Sequence, residues 1–237
     1  MRKDLLRTDV NVYFDNLARV IARMPIQPID QLVSVLLQAY ESGRMIYLFG
    51  NGGSAALASH LACDLGKGTV NGSPKRFRAL ALTDSVPLMT AWANDSEYNN
   101  IFSEQLLNFV QPEDVAFAIS GSGNSANVLN ALEVARRAGA FTLGLTGFEG
   151  GQMKKLCDTC VVVPSDNMQI IEDLHLCVAH SLFTAIRQRL IKPESAAAAA
   201  SQGAPAQRLA AIDSMPTGFV APVGVRASSP SSGNFKL

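Results

Sequence analysis

Neither sign of charge is in excess: Lys plus Arg and Asp plus Glu number 20 each, so nothing in the balance attracts a nucleic acid or an anionic membrane. No apolar run approaches the ~18 residues that a membrane span requires. The first residues set Arg2, Lys3, Asp4, Arg7 and Asp9 where a signal peptide would have its apolar core. The expectation is a cytoplasmic protein with no nucleic-acid and no membrane partner. Cysteine is too scarce for a disulfide scaffold, with only Cys63, Cys157, Cys160 and Cys177. Cys157 and Cys160 form a CxxC that leads into a strand, whereas a redox pair follows a strand at a helix start. No second CxxC completes a four-sulfur zinc site, so these cysteines read as packing residues. A GxxxxGK[ST] phosphate loop is also missing, which argues against nucleotide hydrolysis.

What is present is an α/β pattern. With 48% hydrophobic and 17% charged residues, 237 residues can bury one full core with helices to spare. Val10 to Arg23 and Ile29 to Glu41 carry apolar residues at helical spacing, broken by Pro25 and Pro28, and form an N-terminal helical lead-in. Strands are expected at Ile46 to Phe49, Ala79 to Leu82, Val115 to Ile119, Phe141 to Leu145 and Val161 to Val163, alternating with helices. That alternation predicts a doubly wound parallel sheet of five strands flanked by helices, whose ligands sit at the carboxyl ends of the strands. A last helix runs from Met168 to Ile191, apolar nearly all round, so Glu172 and His180 are expected to be partly buried on it. The domain is drawn as residues 1–192. Beyond it, 193–237 is rich in Ala, Ser, Gly and Pro and reads as a disordered tail.

Two turns carry the chemistry. Gly50-Asn51-Gly52-Gly53 follows the first strand, with Ser54 standing where a helix N-cap would, and glycines there let an anion approach the backbone at a helix N-terminus. The second, Ser120-Gly121-Ser122-Gly123-Asn124-Ser125, repeats that logic with three hydroxyls added. Serines and Asn124 that only cap a helix are the simpler explanation, but three hydroxyls and two glycines in six residues exceed what one cap needs, which favours a phosphate. Gly50 to Ala55 also fits the loose dinucleotide pattern GxGxxA. Asp84, the nearest acid at the end of the second strand, lies well past the ~20-residue spacing a ribose contact wants, so no nucleotide cofactor is expected. The basic loop Gly66 to Arg78, with Lys67, Lys75, Arg76 and Arg78, either stays solvated or closes over a ligand.

All three histidines lie on two helices, His60 on the first after the glycine turn, His175 and His180 on the last. His60 and Asp64 share a helix face, and Glu172 and His180 are about 80° apart on theirs. Should the helices meet, two imidazoles and two carboxylates converge. Such a set suits acid–base work or a zinc ion; a surface His–Asp pair and an ordinary Glu–His contact account for it equally well.

Leu48 to Asp64, Ser120 to Ser125 and Glu172 to His180 together resemble the sugar isomerase (SIS) fold and, within it, the phosphoheptose isomerases, over about Val10 to Ile191. The resemblance implies a flavodoxin-like sheet, a homotetramer, and interconversion of sedoheptulose 7-phosphate and a manno-heptose 7-phosphate for lipopolysaccharide precursors. It implies phosphate binding by Ser120, Ser122, Asn124 and Ser125, and sugar-phosphate contacts from Asn51, Gly52, Gly53 and Ser54. Acid–base chemistry falls to Asp64, Glu172 and His180, and zinc ligation to His60, Asp64, Glu172 and His180. The sequence departs from the family at three of these places: Asp64 stands for a glutamate, Glu172 for a glutamine, and Gly121 for a threonine. An isomerase is the reading carried forward. The alternatives are a noncatalytic SIS module that senses a phosphosugar or docks onto a partner, and a dehydrogenase.

Overall fold

The computed structural model describes residues 8–70 and 74–191, so the stretch read above as a tail lies outside the described residues. Helices α1 (Thr8–Ile21) and α2 (Ile26–Ser42) precede β1 (Met45–Gly50), α3 (Gly53–Cys63), β2 (Arg78–Ala81), α4 (Val86–Asp95) and α5 (Ser103–Phe109). Then come β3 (Val115–Ile119), α6 (Ala126–Arg137), β4 (Phe141–Thr146), α7 (Met153–Leu156), β5 (Thr159–Val162) and α8 (Met168–Ile191). Each expected strand falls within two residues of an observed one. All pairings are parallel, in the order β2-β1-β3-β4-β5, which is the flavodoxin-like winding. The switch point of that order lies between β1 and β3, and the glycine turn and the serine turn leave those two strands.

Alternation along the central strands builds a core on each face of the sheet. Ile46 and Leu48 of β1, with Val115, Phe117 and Ile119 of β3, pack against α2, α3 and α8. Tyr47 and Phe49, with Ala116 and Ala118, pack on the opposite side against α5 and α6. The start of α8 forms a smaller cluster with Val20 of α1 through Ile170, Ile171 and Leu174. Among the described residues no single helix is long and apolar enough to cross a membrane.

Two local expectations are corrected, and an alternative left open for the basic loop is narrowed. α3 does not stop at a loop but runs on as a π-helical turn, Asp64–Gly68; of the two glycines there, which read as loop in sequence, Gly68 serves packing and Gly66 faces open space. A Cβ on Gly68 would fall 2.6 Å from the ring of Phe183, so α3 and α8 approach closely only because that position is bare. The basic residues that follow do not reach the site: Lys75 Nζ donates to the Glu41 carboxylate at 2.7 Å and Arg78 to the Gly43 carbonyl at 3.0 Å, at the end of α2. Finally, Glu172 and His180 are exposed, and it is His175 that α8 buries, at 1% exposure. The helix has more apolar residues than the core of one chain covers, and Leu176 remains 39% exposed between the two.

Candidate active site

The first turn is shaped by a positive φ of 56° at Gly52, which is the N-cap of α3, so Ser54 does not cap the helix but lies buried inside its first turn. Asn51 is locked in place: its Nδ2 donates to Asn127 Oδ1 at 2.9 Å, while its Oδ1 accepts from Asn127 Nδ2 at 2.8 Å and from Tyr98 Oη at 3.0 Å. One Nδ2 hydrogen is left for a ligand. Because Asn127 sits in the first turn of α6, this pair ties the glycine turn to the serine turn.

In the second turn, Ser120 and Ser125 place their hydroxyls 3.2 Å apart. Ser125 is the N-cap of α6 yet makes no side-chain cap bond, so its hydroxyl is not spent on the helix. That counts against the simpler explanation for Ser125, whereas Ser122 does shape the turn, its hydroxyl accepting from the Asn124 amide at 3.2 Å. Asn124, by contrast, has structural work: its Oδ1 accepts from the Gln152 amide at 3.0 Å and its Nδ2 donates to the Ser122 carbonyl at 3.0 Å. Gly123 has φ 64°, and a Cβ there would lie 2.3 Å from the Gly150 carbonyl oxygen, so no other residue fits. Gly121 has a steric reason of its own, since the Met168 sulfur at the start of α8 fills its Cβ position at 2.5 Å. A side chain at this position would require the flexible end of Met168 to move aside.

His60, Asp64 and His180 do converge. Their ligand atoms lie within 4.8 Å of one another, with the two imidazole Nε2 atoms 3.1 Å apart and His60 Nε2 3.4 Å from Asp64 Oδ2. A tetrahedral zinc with ligands at about 2.0–2.1 Å would separate neighbouring donors by about 3.4 Å, so the spacing and the donor set both fit such a cation, with a fourth position open. Glu172 is not part of this cluster. Its carboxylate lies over the glycine turn, 3.2 Å from where a Cβ on Gly53 would be, and among the described residues it makes no hydrogen bond or ion pair. A cavity of about 270 Å³ joins Gly53, Ser54, His60, Glu172 and His175; Asp64, His180 and the serine turn do not line it.

Three contributors escaped the sequence reading. Asn127 is 2% exposed and falls on the buried stripe of α6 with Val128, Ala131, Leu132 and Ala135, so a polar residue on an apolar stripe was the available signal. Tyr98 gave none. His175 has both ring nitrogens buried without a hydrogen bond; the Thr146 backbone lies close enough to oppose its shift, not to satisfy the ring. Burial pushes its pKa down to about 4, so at neutral pH the wall of the cavity is an uncharged imidazole. Asp84, weighed above as a ribose contact, instead accepts a hydrogen bond from Ser59 of α3.

Truncating Asn127 to alanine is expected to cost about 1–3 kcal/mol of stability by leaving the Asn51 amide unpaired, and to raise KM for a phosphorylated ligand more than it lowers kcat. Urea denaturation and steady-state kinetics check the two parts separately.

Both turns and the strand order are those of the SIS domain, whose family model matches residues 12–147, more than half of the chain. A phosphoheptose isomerase of Aliarcobacter butzleri is 38% identical over 176 residues, 74% of this chain and 92% of its own length. One from Paramagnetospirillum magneticum is 42% identical, over 66% of this chain and 81% of its own. Among solved structures, phosphoheptose isomerase GmhA from Neisseria gonorrhoeae superposes with a TM-score of 0.72 at 29% identity, covering 77% of this chain and 99% of that one. The chain belongs to the phosphoheptose isomerase family of SIS-domain proteins.

Proposed function

We infer that the protein is an aldose–ketose isomerase that interconverts sedoheptulose 7-phosphate and D-glycero-D-manno-heptose 7-phosphate. The observation that carries the chemistry is a free carboxylate, Glu172, lining one cavity with His60, which in turn meets Asp64 and His180. The phosphate rests against the hydroxyls of Ser120, Ser122 and Ser125 and the N-terminus of α6, with Asn51 and Ser54 meeting the sugar from the first turn. Isomerisation moves a proton between C1 and C2 through an enediol, which needs a base at the carbon-bound proton and an acid at the carbonyl oxygen. Glu172 takes the proton because it is unpaired and faces the cavity. His180 serves the oxygen, with His60 at 3.1 Å setting which ring nitrogen carries the proton. Asp64 is held to His60 and orients it. His60, Asp64 and His180 would also hold a zinc ion, without Glu172; when bound, the ion supplies a Lewis acid at the sugar oxygen.

A cytoplasmic homotetramer completes the reading. Exposed apolar residues on α1, Val10, Val12, Phe14 and Ile21, support assembly with further copies, and four thiols without a disulfide support a reducing compartment.

The test is incubation with sedoheptulose 7-phosphate, with added zinc or a chelator, following formation of the aldose in the native protein and in Glu172→Gln and Asp64→Asn. Turnover that is lost in Glu172→Gln is the expected result. Turnover lost only in Asp64→Asn would transfer the base role to Asp64, and binding without any conversion would replace the enzyme by the phosphosugar-sensing alternative.

A further inference from the structure

The CxxC set aside in the sequence sits around an unusual residue. Gly144 is in the interior of β4, where a glycine weakens a strand and marks a place where other atoms come close. A Cβ on Gly144 would lie 2.8 Å from Cys157 Sγ, 3.1 Å from Cys160 Sγ and 3.1 Å from the terminal methyl of Met153, one bond from its sulfur. Two thiol sulfurs and the end of the Met153 side chain thus converge on one bare point. The backbone explains how: Gly144 is the register partner of Cys160 on β5, Met153 opens α7, and Cys157 ends it. Met153 is fully buried and both cysteines are half-buried.

The donor set is sulfur alone. The nearest carboxylate, Asp158, is spent on Thr142, accepting from its amide at 2.8 Å and from its hydroxyl at 2.9 Å. Lys154 lies near Cys160 and Arg136 near Cys157, so cations stand beside both sulfurs to offset the charge of a bound thiolate pair. Zinc asks for four donors and accepts nitrogen and oxygen, whereas two thiolates and a thioether in an apolar setting select a soft monovalent ion.

We propose that Met153, Cys157 and Cys160 form a three-sulfur binding site for Cu(I). Binding makes two bonds to thiolate sulfur and one to the thioether, releases the two thiol protons to solvent, and changes no oxidation state. The site is distinct from the His60–Asp64–His180 cluster and does not depend on the isomerase reading. It is one hydrogen bond from the phosphate turn, because the Met153 amide donates to the Gly123 carbonyl at 3.0 Å.

The experiment is an anaerobic titration of the full-length reduced protein with Cu(I) against a colorimetric Cu(I) chelator, in a Cys63→Ser, Cys177→Ser background that removes the two exposed thiols. Retention of a single Cu(I) per chain is expected, with loss of that retention on adding Cys160→Ser or Cys157→Ser. X-ray absorption should show a sulfur-only shell, which loses one scatterer in Met153→Leu. That change conserves volume, so it carries the test if a serine variant fails to fold. Retention untouched by both serine changes, or a shell of nitrogen and oxygen from the histidine cluster, overturns the proposal.

Discussion

Replacing His180 with glutamine is expected to lower kcat for sedoheptulose 7-phosphate by about 10²–10⁴-fold, the range lost when a positioned acid–base group is removed. KM should move far less. In the proposed reading the phosphate is held by the turns after β1 and β3, whereas His180 sits on α8 beside His60, 3.1 Å away. Glutamine keeps a polar head of similar reach but cannot pass a proton at neutral pH, so the change separates proton transfer from hydrogen bonding. Because His180 is exposed, its loss leaves no buried cavity, and the melting temperature should stay within a few degrees of the parent. Steady-state kinetics with a thermal melt on the same sample decide the matter. A variant that keeps kcat while KM climbs would make His180 a binding residue and would move the acid role to His60.

The second large effect is on stability and comes from His175. In an unfolded chain its imidazole has a pKa of about 6.5, whereas in the folded protein burial depresses it to about 4. Between those values the unfolded chain binds a proton that the folded one refuses, so stability rises with pH across the window. The contribution is complete above about pH 6.5, declines as pH falls toward 4, and does not change further below. The span corresponds to about 3 kcal/mol. Carboxylates begin to titrate at the acid end of the same range, so the quantity to measure is the difference between native protein and His175→Gln. Urea midpoints at pH 7, 5.5 and 4.5 should converge for the two proteins as pH falls, because the variant has lost the titrating group. Parallel curves would mean that His175 reaches water or a partner and keeps an ordinary proton affinity.

The sheet was legible because its signal is local. Short β-forming runs bounded by glycine and serine turns identify β1 and β3 with no knowledge of their neighbours, and helices between strands require parallel pairing. Both glycine- and serine-rich turns were readable for the same reason, as was the placing of His60 and Asp64 on one helix face; whether His180 would meet them stayed open, because that contact spans 120 positions. What was not legible depends on contacts between distant segments. Gly52 takes the N-cap from Ser54 because its backbone conformation, not its composition, starts α3. The Asn51–Asn127 pair joins residues 76 apart. Helical periodicity gave α8 an apolar face nearly all round, but which side meets the sheet is decided by Ile171, Leu174, Val178 and Leu182 filling the core together, and that choice exposes Glu172 and His180 and buries His175. The departure at Gly121 became intelligible only with Met168 in view, 47 positions later in the chain.

The bare position at Gly68 sets a dimension of the catalytic apparatus from outside it. His60 belongs to the helix that runs into Gly68, and His180 is one turn before Phe183, whose ring occupies the missing side chain. A methyl group there would have to push the ring aside, and the imidazole gap widens to the extent that α8 follows the ring. Since ~1 Å of misplacement can cost ~10²-fold in rate, Gly68→Ala should slow turnover while leaving phosphate affinity intact. Reaction rate in this enzyme is in that sense a mechanical property, adjustable by bulk at a remote shim point between two helices.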